Sequence, residues 1–302
     1  MMSTFVLAHL SDPHLGPLPT PSIGELAGKR VLGFLNWQRK RHRIHRSEAL
    51  ARVVDDLKAK APDHIAVTGD LVNISLPDEY PPARAWLATL GSPDNVTLVP
   101  GNHDVYVRRA AAHPRVHWGE YMRGNGSPAG NPDFPFVRRR GPLALIGLSS
   151  AVPTGPFMAT GRLGNEQIAR FAETLERLGH ERCFRVVLIH HPPASKRSRH
   201  FKRLVDGAAF RAVLQRHGAE LVIHGHDHAH SLNWFEGTGS RIPVIGVPSA
   251  SEAPGGEHGG AGYNLYRVEG TPGAWRCEAV SRGLAPDGNN VVEIARTLLI
   301  RD

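Results

Sequence analysis

The chain has 302 residues and two cysteines, Cys183 and Cys277, too few and too far apart for a disulfide-built fold, which points to a reducing compartment. Hydrophobic residues make up 41% and charged residues 21%, the balance of a protein that buries a core. A formal net charge of +8 favours anionic partners without choosing among them.

The N-terminal apolar stretch has no basic flank and stops at Ser11-Asp12. It does not read as a signal peptide, and no run approaches a membrane span, so the expected location is cytoplasmic. Residues 4–10 read as the first strand, followed by Asp12-Pro13-His14. A helix is expected over 47–60, with Ala49, Leu50, Val53, Val54 and Leu57 on one face. Strand 64–68 runs into Gly69-Asp70, with Asn73 three residues on, and strand 96–99 runs into Gly101-Asn102-His103-Asp104. Residues 124–135 are Gly/Pro-rich and read as a loop before strand 143–148. A helix over 165–178 follows, with Asn165 as its expected N-cap and Ile168, Phe171, Ala172 and Leu175 at helical spacing.

Strand 185–189 ends in His190-His191-Pro192-Pro193. Asp206 is the expected cap of a helix over 207–216, and strand 220–223 runs into Gly225-His226-Asp227-His228. Strand 243–247, a loop over 253–262 and a hairpin of 263–268 with 274–280 about Gly270-Thr271-Pro272-Gly273 complete the chain. The strands lack strict alternation, as expected when both faces are buried. The pattern is α/β with antiparallel strands near the end, and no linker divides it, so one domain over 1–302 is expected.

Five strand ends thus carry Asp, His or Asn, and in open α/β sheets sites form at the carboxyl ends of strands. Each piece alone has an ordinary reading as a turn, a cap or a loop exit. Together they offer mixed oxygen and nitrogen donors, which suit first-row transition metals better than all-oxygen Ca or Mg cages. The set is too large for one tetrahedral ion and about right for two ions sharing a carboxylate.

Taken in order, Asp-x-His, Gly-Asp, Gly-Asn-His-Asp, His-His and Gly-His-x-His resemble the calcineurin-like metallophosphoesterases. The resemblance runs from Asp12 to His228. Ile-His-His-Pro-Pro and Gly-Asp-Leu-Val-Asn look most like the branch of class III cyclic-nucleotide and glycerophosphodiester phosphodiesterases. The resemblance implies a four-layer α/β/β/α sandwich of mixed sheets with its metal site at strand ends. It implies hydrolysis of a phosphate ester by a metal-activated water, with two ions drawn from Mn, Fe or Zn. Asp12, His14, Asp70 and His228 would hold one ion. Asp70, Asn102, His190 and His226 would hold the other, with Asp70 shared. His103 would face the substrate, and Asp104 would either orient His103 or cap the turn. Asn73 is a candidate for substrate phosphate or for a turn. His191 is read beside the substrate or as structural, not as a ligand, and His224 and His230 as packing and surface residues.

The segment 28–46 is longer than the resemblance leads one to expect, and from Lys29 to Arg46 it holds seven Lys or Arg and no acid. It reads as a solvated helix with an aliphatic face on the core, as a lid that collects an anionic substrate, or as an interfacial segment with Phe34, Leu35 and Trp37 in lipid. The run Lys196–Arg203 is a second basic cluster, and Arg138-Arg139-Arg140 reads as surface. The expected partner is a small anionic phosphoester, most simply a cyclic nucleotide or glycerophosphodiester. A lipid-linked or nucleotide pyrophosphatase, a nuclease and an inactive metal-binding scaffold are the alternatives. Nucleic acid is not expected, because no separate binding module follows the motifs. The 253–262 loop and the tail 283–302 are candidates for closing the pocket or pairing two copies.

Overall fold

The computed structural model describes residues 4–127, 133–194, 197–256 and 259–301. Its strands are β1 (Phe5–Leu10), β2 (His64–Val67), β3 (Val96–Leu98), β4 (Phe136–Arg140), β5 (Leu143–Gly147), β6 (Phe184–Leu188), β7 (Leu221–His224), β8 (Ser231–Glu236), β9 (Arg241–Gly246), β10 (Gly262–Thr271), β11 (Ala274–Leu284) and β12 (Val291–Ile300). The helices are α1 (Lys29–Asn36), α2 (His42–Ile44), α3 (Ser47–Ala59), α4 (Tyr80–Leu90), α5 (His113–Trp118), α6 (Asn165–His180) and α7 (Gly207–His217). One sheet has the order β12-β11-β10-β1-β2-β3 and the other β4-β5-β6-β7-β9-β8. Both are mixed: β1, β2 and β3 are parallel in the first, and β5, β6, β7 and β9 in the second, with antiparallel strands outside them.

The sheets pack face to face. Leu7, Tyr266 and Trp275 of the first share a core with Leu145, Phe184 and Leu188 of the second, and Trp275 meets Phe184 edge-on with centroids 5.9 Å apart. The alternate residues Ala144, Ile146, Val187 and Val222 pack outward against Phe171 and Leu175 of α6 and Phe210 and Leu214 of α7. Phe171 and Phe210 stack with centroids 5.4 Å apart, which joins these two helices. On the other side α3 buries the five residues that its spacing predicts. Its Asp56 accepts from Tyr263 Oη at 2.6 Å and from Arg282 Nε at 2.7 Å, pinning the helix to β10 and β11. The layers are therefore α/β/β/α, and this double burial explains why the parallel strands read as continuous apolar runs.

The expected strands and hairpin are present, with ends shifted by a few residues. Three strands went unread: β4, β8 and β12. All three lie at sheet edges, where one flank faces solvent and polar residues are tolerated. Helix α4 was hidden by Pro81 and Pro82, which sit in its first turn, where a missing N–H costs nothing. The two expected caps need correction. Gly164, not Asn165, stands at the N-cap of α6, and Asp206 stands at that of α7 without capping it. The Asp206 carboxylate instead accepts from the amides of Leu163 and Gly164, at 3.1 and 2.8 Å. Of the loops read from composition, 128–132 in the first and 257–258 in the other lie outside the described residues, as do 195 and 196, the latter the first residue of the second basic cluster.

Arg138 also needs correction, for it is only 4% exposed. It sits on the inward side of β4 and donates to the backbone carbonyls of Pro93, Val96, Glu120 and Arg123. Burial, then neighbouring Arg140, pulls its pKa down to about 10. Arg138→Ala would leave those carbonyls without a donor and should cost about 2–4 kcal/mol, seen as a lower urea midpoint. Arg138→Lys should recover only part, since one ammonium cannot span the carbonyls that the planar fork reaches. An unchanged midpoint for the alanine variant would refute this reading.

Candidate metal centre

The carboxyl ends of β1, β2, β3, β6 and β7 open on one crevice, and their loops are tied together by backbone. Asp12 N donates to Gly69 O at 2.9 Å, His14 N to Asp70 O at 3.1 Å and Leu15 N to Leu71 O at 2.8 Å. The second sheet joins through His226 N, which donates to Asp12 Oδ2 at 3.0 Å. Glycines permit this approach. A Cβ on Gly101 would lie 2.2 Å from Asp70 Oδ1, and one on Gly225 would lie 2.0 Å from Ser11 Oγ. Asp12, His14, Asp70, His226 and His228 all have φ between 39° and 68°, a left-handed region that non-glycine residues occupy only when their surroundings enforce it. Five of the seven expected ligands thus sit on strained backbone.

The seven side chains converge. His14 Nδ1 faces Val72 O at 3.3 Å and His190 Nδ1 faces Thr68 O at 2.6 Å. A carbonyl can only accept, so each Nδ1 carries a proton and each Nε2 points inward, where the neutral ring presents a lone pair. His14 Nε2 lies 3.3 Å from His228 Nε2, which lies 3.1 Å from Asp12 Oδ1. His190 Nε2 lies 3.2 Å from Asn102 Oδ1, 3.2 Å from His226 Nδ1 and 3.4 Å from Asp70 Oδ2. Two nests of acceptor atoms result, and the donors of Asp12, Asp70 and His190 lie within 4.8 Å of one another between them. His226 Nε2 is buried without a hydrogen-bond partner. Acceptors packed this closely repel unless a cation lies among them, so the donor set fits a pair of metal ions.

Charge around the nests follows from burial and proximity. Burial opposes ionisation of Asp12, yet His228 and His190 hold its carboxyl well below the usual carboxylate range. Burial, reinforced by Arg41, holds His14 neutral, and burial with His191 does the same for His226. His190 is the exception: burial lowers it, but Asp70 and Asp12 outweigh that and push it up to about 10, so a proton on Nε2 stands where this nest would hold a cation, and a metal ion would displace it.

The other expected site residues surround the nests. The His103 ring faces the crevice, its Nδ1 held by the Asn73 carbonyl. Asp104 does not touch that ring. Its carboxylate accepts from the amides of Asp70, Leu71, Val72 and Gly101, between 2.8 and 3.2 Å, and so clamps the β2 loop to the β3 loop. Asn73 Nδ2 donates to Leu15 O at 2.7 Å, which fixes a turn. His191 is fully buried, with Nδ1 at 2.8 Å from Ser150 Oγ and Nε2 at 3.2 Å from Ala159 O. His224 is buried beneath the site, with Nδ1 at 3.0 Å from Gly225 O.

Two residues of the basic segment enter the site, and neither was singled out in the sequence. A π-helical turn over Trp37–Arg41, anchored by buried Trp37, aims Arg41 inward. Its Nη1 donates to His103 Nε2 at 3.0 Å and its Nη2 to His14 Nε2 at 2.8 Å. One turn on, His45 joins His14 and His228 in a group of nitrogens within 4.8 Å of one another. Its Nδ1 contacts Ser251 Oγ at 2.9 Å. The four-residue spacing of Arg41 and His45 was the available signal, masked by the Arg and Lys around it. The basic segment forms one wall of a cavity of about 1240 Å³ that opens from the metal nests.

A model of the calcineurin-like phosphoesterase family matches residues 5–230. The chain is 26% identical over 231 residues to a probable cyclic nucleotide phosphodiesterase of a Synechococcus species, covering 76% of this chain and 80% of that protein. It is 33% identical over 101 residues to a glycerophosphodiester phosphodiesterase of Enterobacter lignolyticus, covering 33% of this chain and 29% of that protein. The fold is similar to that of a dimetal phosphatase from Danio rerio, with a TM-score of 0.63 and 13% identity over 99% of both chains.

Proposed function

Since the chain belongs to the calcineurin-like phosphoesterase family, we propose that it hydrolyses a phosphodiester at a pair of metal ions seated in the two nests of acceptor atoms. The convergence of His14, His190, His226 and His228 nitrogens with Asp12, Asp70 and Asn102 oxygens carries this reading. Asp12, His14 and His228 would hold one ion, Asn102, His190 and His226 the other, and Asp70 both. The donor mixture favours Mn, Fe or Zn. The diester preference draws on the names of the two sequence relatives.

Bound ions would polarise the phosphate oxygens and acidify water. The side chains do the rest. His103 presents Nε2 to the crevice beside Arg41; the guanidinium meets negative charge on the phosphoryl group, and His103 joins it once Nε2 takes a proton in place of the Arg41 hydrogen bond. Asp104 holds the loops that carry Asp70 and Asn102 at fixed separation, and so acts by positioning. His45 closes the wall beside His14 and limits water there. Asn73 orients His103 through its carbonyl and His191 supports the neighbouring His226 ring.

The test is turnover of bis-p-nitrophenyl phosphate, p-nitrophenyl phosphate and a cyclic nucleotide by purified protein, before and after chelation. Chelated protein should lose at least ~10²-fold in rate and recover with Mn, Fe or Zn, and the diesters should be preferred. Full turnover after rigorous chelation removes the metal mechanism, and preference for the monoester removes the diester reading.

A further inference from the structure

Three segments form the rim of the cavity, and they are bonded to one another. Lys29 Nζ of α1 donates to Thr154 Oγ1 at 2.7 Å and to Met158 O at 2.8 Å. Ala159 N in turn donates to Phe201 O at 2.9 Å. Large apolar side chains stand out to solvent along this rim: Phe157 is 85% and Phe201 63% exposed. On α1, Arg30 is buried and donates to the carbonyls of Ile74 and Ser75. That fixes the helix rotation and turns Val31 and Leu35 outward, each 41% exposed. Single exposed apolar residues need no explanation, but a group gathered at the mouth of a site does.

The same rim is cationic. Arg39, Lys40 and Arg43 are exposed in a segment that has no acid between Lys29 and Arg46. Leu32, Ile44, Phe157 and Phe201 line the same cavity as Asp70 and His103, so apolar surface continues from the rim towards the metal nests. Among the described residues no helix is long and apolar enough to cross a membrane. Apolar side chains interleaved with Arg and Lys suit the boundary between acyl chains and anionic headgroups, where each group finds its own layer. A nucleic-acid duplex would use the cations and leave the outward phenylalanines unpaired, and a single strand would stack bases on Phe157 and Phe201 but leave Val31 and Leu35 without a partner.

We infer that this rim docks on an anionic lipid surface, and that the phosphoester taken by the site is amphiphilic. Its phosphate reaches the nests, and its apolar part stays among Leu32, Phe157 and Phe201. The inference rests on the phosphodiesterase reading for the chemistry and names the substrate class for it.

Flotation of the metal-loaded full chain with vesicles tests the docking. Phosphatidylcholine vesicles containing about 30% phosphatidylglycerol should carry the protein at about 0.1 M salt, and pure phosphatidylcholine should not. F157S/F201S changes only exposed positions and should weaken binding by roughly tenfold. R39E/K40E/R43E should abolish the preference for anionic lipid. Absence of flotation, equal flotation with both vesicle types, or wild-type binding by F157S/F201S would each overturn the inference. The last outcome would mark the rim as a general polyanion binder. Hydrolysis of bis-p-nitrophenyl phosphate by the wild type is scored in parallel. Turnover without docking leaves the phosphodiesterase reading standing, and docking without turnover leaves only the surface.

Discussion

Asp70→Ala is expected to empty the metal centre and abolish turnover together. Asp70 Oδ2 lies 3.4 Å from His190 Nε2 in one nest and 3.8 Å from His14 Nε2 in the other, so one carboxylate serves both. Its Oδ1 also accepts from His103 N at 2.7 Å, which sets the entry of the β3 loop. Removing it takes away the shared negative charge and one tie between the loops. Metal content should fall from about two ions per chain to one or none, and kcat by more than ~10³-fold. Asp70→Asn keeps an oxygen for His103 N and should fall between the two. The metal-free alanine variant should unfold at a lower urea concentration than metal-free wild type, because His103 N loses its acceptor and His190 loses its carboxylate. Full metal content with only a modest loss of rate would refute the shared role of Asp70.

How much of this was legible in the sequence depends on where a residue's constraint comes from. The ligand loops were legible because each follows a strand buried on both faces, whose apolar run ends abruptly at Asp12, Asp70, Asn102, His190 or His226. The glycines before them were legible as punctuation, but their reason is tertiary: Gly101 and Gly225 leave room for side chains from other loops. Edge strands β4, β8 and β12 were illegible because a half-solvated strand carries no strong apolar pattern. Arg138 was misread for a related reason, since its partners are backbone carbonyls from distant segments, which leave no complementary charge in the sequence. Asp104 shows the same limit. Its type suggested a partner for His103, whereas its carboxylate is filled by four backbone amides. The basic segment was the hardest to read. Three Arg and Lys neighbours of Arg41 are exposed, and only the π-helical turn decides which guanidinium points inward.

That turn makes Arg41 separable from the metal ligands, and Arg41→Ala should divide catalysis from metal binding. The guanidinium spans the site, with Nη1 at 3.0 Å from His103 Nε2 and Nη2 at 2.8 Å from His14 Nε2. Both acceptors are neutral imidazole nitrogens, so Arg41 retains its positive charge for an anion in the crevice. Losing such a donor costs roughly 10²–10³-fold in kcat/KM when it serves the transition state. The same change removes the hydrogen bond that occupies the His14 lone pair, so metal content should be kept or increased. Arg41→Lys should recover little, because an ammonium is a point charge and cannot bridge His14 and His103 at once. Rate and metal content would therefore move together in Asp70→Ala and apart in Arg41→Ala. If Arg41→Ala loses metal in proportion to rate, the guanidinium supports the His14 nest rather than the substrate. If kcat/KM is unchanged, Arg41 has no part in the chemistry.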